Sequence, residues 1–154
     1  GILILDAPTT GVDAVSRTEF WEMLARLKSE GITILVSTPY MDEALRCDRI
    51  ALIQSGRILN INTPDQIRRS YSQKLYAVSH PEKYKLLLAL RTSQKVVTGN
   101  AEPFGDSVHI TLPGGTTPAE LTAALTSAGL PGATVTEIVP GIEDVFLELM
   151  KKEV

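Results

Sequence analysis

The chain has 154 residues, 44% hydrophobic and 21% charged, with a net charge of −3. That length suits one core or two small ones, and the charge lacks the basic excess of a nucleic-acid binder, so no nucleic-acid partner is expected. The single cysteine, Cys47, excludes an intramolecular disulfide framework and a multi-cysteine zinc site, and no apolar run approaches the roughly 20 residues of a membrane helix.

In chain order, Ile2 to Leu5 reads as a buried strand, because its consecutive aliphatics offer no polar face and end at Asp6. Asp13 can cap a helix to about Glu30, with Phe20, Leu24 and Leu27 at helical spacing and Gly31 as its stop. Ile32 to Ser37 is a second aliphatic strand. A short helix over Tyr40 to Arg46 and a strand over Arg49 to Ile53 follow. The turn Gln54-Ser55-Gly56-Arg57 then returns the chain as a hairpin through Ile58 to Asn62. Thr63-Pro64-Asp65-Gln66 announces a helix that ends near Arg69, with Thr63 as N-cap and Gln66 at the capping-box position.

Ser70 to Gln73 reads as a linker, which places domains at 1–71 and 72–154. Lys74 to Ser79 alternates as a strand and Pro81 to Arg91 reads as a helix. Gln94 to Asn100 and Ser107 to Leu112 are expected to pair as strands around a turn at Pro103-Phe104-Gly105-Asp106. Thr117-Pro118-Ala119-Glu120 opens a helix to about Ala128, followed by a strand over Ala133 to Val139 and a helix over Ile142 to Lys152. The expectation is an α/β chain: parallel strands plus a hairpin, then a small ferredoxin-like α+β domain of order βαββαβ. Ile142, Val145, Phe146 and Leu149 form a helical stripe expected to pack on that second sheet.

An acid at the end of a buried parallel strand stands where open α/β sheets place ligand-binding groups, and Asp6 is a candidate Mg²⁺ carboxylate. Asp6-Ala7-Pro8-Thr9-Thr10-Gly11-Val12-Asp13, followed by Ser37-Thr38-Pro39-Tyr40-Met41-Asp42-Glu43-Ala44, resembles the ATP-binding subunit of ABC transporters. The resemblance covers Gly1 to about Tyr71. It implies that Asp6 is the Walker B aspartate, binding the ATP cofactor's Mg²⁺ through water, and that Gly11 and Asp13 belong to a D-loop at a dimer interface. The fold it implies is a partial P-loop NTPase domain, cut at the Walker B strand. Gly1, with no Met, then reads as a cut end.

No Gly-x-x-x-x-Gly-Lys-Ser/Thr occurs, and the nearest mimic, Gly99 to Ser107, lacks the lysine. The chain alone is therefore expected to bind nucleotide weakly or not at all. Two positions depart from the family pattern. Ala7 stands where the family has its catalytic glutamate, and Pro39 where it has the switch histidine. Neither side chain can move or orient a proton, so the resemblance implies a degenerate site, Ala7 being either natural or engineered. The STPYMDEA block looks most like the first of two tandem domains in exporter-type ATPases, and Ser70 to Val154 resembles the small C-terminal extension of such proteins. The implied partners are a second ABC nucleotide-binding domain, in the same chain or another, and an integral-membrane permease. The implied location is cytoplasmic, peripheral to the inner or plasma membrane.

Two other readings remain. One is a non-catalytic regulatory or dimerisation module. The other is a free-standing Mg²⁺ phosphohydrolase built on Asp6, Asp13 and Asp42. His80, His109 and Cys47 stand outside ligand spacing and read as structural, and Asp42 and Glu43 read as solvated acids in a helix's first turn.

Overall fold

The computed structural model describes residues 1–97 and 100–152. The chain divides into two compact units, one of residues 1–70 with the terminal helix and one of residues 71–141.

In the first unit β1 (Ile2–Asp6) pairs in parallel with β2 (Thr33–Ser37), with Asp6 opposite Ser37. The crossover is α1 (Ala14–Ser29), which buries Trp21 and Leu24. Asp13 caps it by accepting from the Val15 and Ser16 amides, each at 3.0 Å. α2 (Met41–Ala44) is a single turn. β3 (Ile50–Gln54) and β4 (Arg57–Asn62) form an antiparallel hairpin. Its two-residue turn holds Ser55 and Gly56 at φ of 49° and 75°, the left-handed pair that matches strand twist in tight hairpins. Thr63 caps α3 (Pro64–Arg69) by accepting from the Gln66 amide, and Ile67 of that helix is fully buried.

Two expectations need correction here. β1 is not buried on both faces: Ile2, Ile4 and, on β2, Leu35 are 76%, 71% and 64% exposed. Among the described residues the sheet has only these two strands, and α1 packs against β2, so aliphatic composition does not by itself bury a strand. The terminal helix α6 (Ile142–Lys152) belongs to the first unit, packed on α3, and not to the second sheet. Ile142 and Val145 of its apolar stripe are buried. The stripe fixed that the helix must find a partner, and the partner is a neighbour remote in sequence.

The second unit is a four-stranded antiparallel sheet of order β6-β7-β5-β8, from β5 (Leu75–Ser79), β6 (Ala101–Phe104), β7 (Ser107–Thr111) and β8 (Thr134–Ile138). With α4 (Lys83–Thr92) and α5 (Pro118–Ser127) as its helices, the order βαββαβ is that of the ferredoxin-like fold. Its core joins Tyr76 and Val78 of β5, Val108 and Ile110 of β7, Leu86 and Leu90 of α4, and Leu121 and Leu125 of α5.

Among the described residues of the strand expected over Gln94 to Asn100, none is in a strand. Residues 94 and 95 are turn, residues 98 and 99 lie outside the described residues, and β6 begins at Ala101. Pro103 lies within that strand, opposite Val108. β6 is the sheet edge, where a residue without an N–H costs no ladder bond. Residues 101–107 of the phosphate-loop mimic belong to this hairpin, whose turn is Gly105-Asp106.

α5 opens with a complete capping box: the Glu120 amide donates to Thr117 Oγ1 at 3.3 Å, and the Thr117 amide donates to Glu120 Oε2 at 2.8 Å. Thr117→Ala is expected to destabilise the chain by about 1 kcal/mol, read as a lower urea midpoint by circular dichroism.

Candidate functional site

The carboxyl ends of β1 and β2 converge on Asp6. The Ser37 hydroxyl donates to Asp6 Oδ1, and the Ala7 amide donates to Ser37 Oγ at 2.8 Å and to the Ser37 carbonyl at 3.1 Å. Ser37 therefore spans the Asp6–Ala7 step. Asp6 lies on the open face of the pair with Ile2 and Ile4, since alternate residues share a face. Ala7 adopts φ of 43°, a left-handed conformation costing about 1 kcal/mol or more for a residue with a Cβ. Its methyl group offers neither a proton acceptor nor a donor.

The loop beyond is tight. The Thr10 amide donates to the Ala7 carbonyl at 3.3 Å and the Val12 amide to the Thr9 carbonyl at 3.1 Å. Gly11, at φ of 76°, takes the position in that turn that a side chain would strain. Asp13 closes the loop with both carboxylate oxygens engaged, Oδ1 by the amides of Val15 and Ser16 and Oδ2 by the Ser16 hydroxyl at 2.7 Å. The Ser16 hydroxyl and amide bonds hold its carboxyl below the usual aspartate range. Across the sheet ends, Pro39 is exposed in the turn between β2 and α2, while the Tyr40 amide donates to Thr38 Oγ1 at 3.1 Å.

Beneath this edge lies a buried carboxylate. Glu43, 2% exposed, accepts from Thr9 Oγ1 at 2.9 Å, Thr38 Oγ1 at 2.5 Å and Arg17 Nε at 3.0 Å. Arg17 also reaches Asp42 at 3.2 Å and lies over the Tyr40 ring at 4.4 Å. Burial by itself would raise the Glu43 pKa, yet the bonds from Thr38 and Thr9, with Trp21 and Arg17, outweigh it and hold the carboxyl below its ordinary range. The buried Trp21 indole N–H contributes without forming a hydrogen bond of normal geometry.

Asp42 is a solvated acid, 76% exposed; Glu43 is not. α2 is one turn long, too short for periodicity to reveal its inner face, and Thr9 and Arg17 carry no local signal that pairs them with Glu43. The three acids of the phosphohydrolase reading do not assemble: among the described residues no three His, Cys, Asp or Glu side chains form a metal-sized group.

The remaining candidates have structural positions. His80 Nδ1 accepts from the Glu82 amide at 3.0 Å, leaving Nε2 to donate to the Pro131 carbonyl at 3.2 Å. His109 stacks on Phe104 with ring centroids 4.1 Å apart. Burial, then the charges of Asp48 and Glu43, push the Cys47 thiol up and away from thiolate chemistry. No described helix is long and apolar enough to cross a membrane.

Asp6 suits Mg²⁺ as one hard oxygen ligand. One of its oxygens takes the Ser37 bond, and Mg²⁺ commonly needs only one or two carboxylates beside waters and phosphates.

No family model matches the chain. The chain is 31% identical over 149 residues to the probable multidrug ABC transporter ATP-binding protein YbhF of Escherichia coli, covering 97% of the chain and 25% of that protein. It is 33% identical over 154 residues to the Nod factor export ATP-binding protein I of Burkholderia orbicola, covering 99% of the chain and 48% of the relative. A segment of 76 residues is 45% identical to the human retinal-specific phospholipid-transporting ATPase ABCA4, covering 49% of the chain and 3% of that protein. The chain thus spans less than half the length of these curated relatives. The acid at the end of β1, the tight loop from Ala7 to Asp13 and similarity along nearly the whole chain agree: the chain belongs to the ABC transporter ATP-binding proteins.

Proposed function

We propose that the chain is part of the ATP-binding subunit of an ABC exporter, and that its own nucleotide site is hydrolytically degenerate. The observation that carries this reading is the end of β1, where Asp6 is held by Ser37 and followed by a methyl group in place of a base. Asp6 would hold Mg²⁺ through water, with ATP phosphates supplying further oxygens. That ion would offset phosphate charge. Ala7 leaves the attacking water without a base, and Pro39 leaves the γ-phosphate without an imidazole donor. A site of this kind holds ATP and does not turn it over.

Gly11 and Asp13 would face a second ABC nucleotide-binding domain, in the same chain or another subunit, which would perform hydrolysis. The energy would pass to an integral-membrane permease, placing the protein on the cytoplasmic side of the inner or plasma membrane. An independent core in residues 71–141 keeps a regulatory or dimerisation role for the second unit as the alternative reading.

The test uses the complete polypeptide that carries this chain, with any companion site silenced. ATP binding that requires Mg²⁺ and is lost in Asp6→Asn, with negligible turnover, is expected. Ala7→Glu with Pro39→His should then raise turnover by about 10²-fold or more. Appreciable hydrolysis at this site before substitution would overturn the degenerate reading, and no ATP binding at all would overturn the whole proposal.

A further inference from the structure

Glu43 is a buried charge that the reading above leaves without a task. A carboxylate at 2% exposure persists only where donors replace water, and here they come from three separate segments. The Thr9 and Thr38 hydroxyls both donate to Oε2, while Arg17 Nε donates to Oε1. One oxygen atom therefore joins the loop after β1 to the loop after β2. Among the described residues, no backbone hydrogen bond links residues 8–13 to residues 38–43. Side chains alone join the two loops beyond the strand ends, and Glu43 is their shared acceptor.

We propose that Glu43 is a positioning residue that locks the Thr9–Asp13 loop to the Thr38–Glu43 segment, so that the two loops at the sheet edge move as one body. Three features make the lock stiff. Thr9 is itself buried, at 1% exposure, so its hydroxyl has no water to turn to. Arg17 is held from a second side by Asp42 and by the Tyr40 ring, so the countercharge is fixed by three contacts to the segment that carries Glu43. The Tyr40 amide bonds the same Thr38 oxygen that donates to Glu43, which extends the lock into the backbone beside Pro39.

The functional meaning deepens the reading above and rests on it. In a site without a base or a switch imidazole, the lock would keep the Gly11–Asp13 loop presented to the second nucleotide-binding domain. The coupling itself rests on geometry alone.

The test is amide hydrogen exchange by NMR on the whole chain. Thr9→Val removes a donor from the first loop only, and Thr38→Val from the second only. With the lock in place, Thr9→Val accelerates exchange of the Tyr40 amide, and Thr38→Val accelerates that of Thr10 and Val12, each about tenfold or more. Glu43→Gln does both, with the amides of β3, β4 and the second unit unchanged. Effects confined to the mutated loop would overturn the proposal, as would a uniform rise across the first unit, which is the mark of a residue that only stabilises. Should Glu43→Gln fail to fold, the two threonine variants decide the matter without it. Absence of the cross effects leaves the ATP-binding reading standing, and failure of ATP binding in the complete polypeptide leaves the lock measurable here.

Discussion

Glu43→Ala is expected to destabilise the first unit by about 3 kcal/mol, measured by urea denaturation followed through the fluorescence of Trp21, the single tryptophan. The substitution strands the hydroxyls of Thr9 and Thr38 and one face of the Arg17 guanidinium. Arg17 is 24% exposed and keeps Asp42, so the loss falls below that of a fully desolvated charge pair. A loss under about 1 kcal/mol would mean that water replaces the carboxylate, and that the network is weaker than its geometry.

The same residue sets a pH dependence. Its folded pKa lies below the ordinary glutamate range: burial raises it, and the bonds from Thr38, Thr9 and Arg17, with the nearby Trp21 indole, outweigh that rise. A carboxyl depressed on folding contributes stability that is complete above its unfolded pKa and is lost as pH falls through its folded value. Wild type and Glu43→Gln should therefore differ most near neutrality. Their urea midpoints should converge in acid, starting below about pH 4.5. A difference independent of pH would show that folding leaves the pKa of the Glu43 carboxyl unchanged.

Leu121→Ala is the second large effect, expected to cost about 3 kcal/mol by urea unfolding monitored with circular dichroism. Leu121 is fully buried, in a core shared with Val78, Leu86, Val108, Ile110 and Leu125. Alanine is the better helix former, so the whole loss is packing and cavity formation. A cost below about 1 kcal/mol would show α5 settling onto the sheet to fill the space, which the antiparallel ladders on either side of β5 oppose.

Much of the architecture was legible because its causes are local. Asp13, Thr63 and Thr117 cap the helices that their positions announced, since an N-cap needs only an oxygen and an amide two or three residues on. Ser55-Gly56 makes the expected hairpin because the turn's left-handed geometry is written in its residues. The family blocks at Asp6 and Pro39 were legible as patterns, and the relatives along nearly the whole chain agree with them. Pro103 misled because a proline signals a turn unless its strand is a sheet edge, and edge status follows from strand order, which no short stretch carries.

The sequence by itself determined the order of helices and strands, their caps and turns, the family, and the presence at positions 7 and 39 of an alanine and a proline, side chains with no proton to give or take. These depend on residues a few places apart. Only the tertiary structure decided that Glu43 is a buried charge, that Ser37 holds Asp6, and that α6 packs with the first unit. Thr9 and Arg17 meet Glu43 across 34 and 26 residues of chain. A one-turn helix has no period to disclose its inner face, so the burial of a charge there is settled by which donors the fold brings to it.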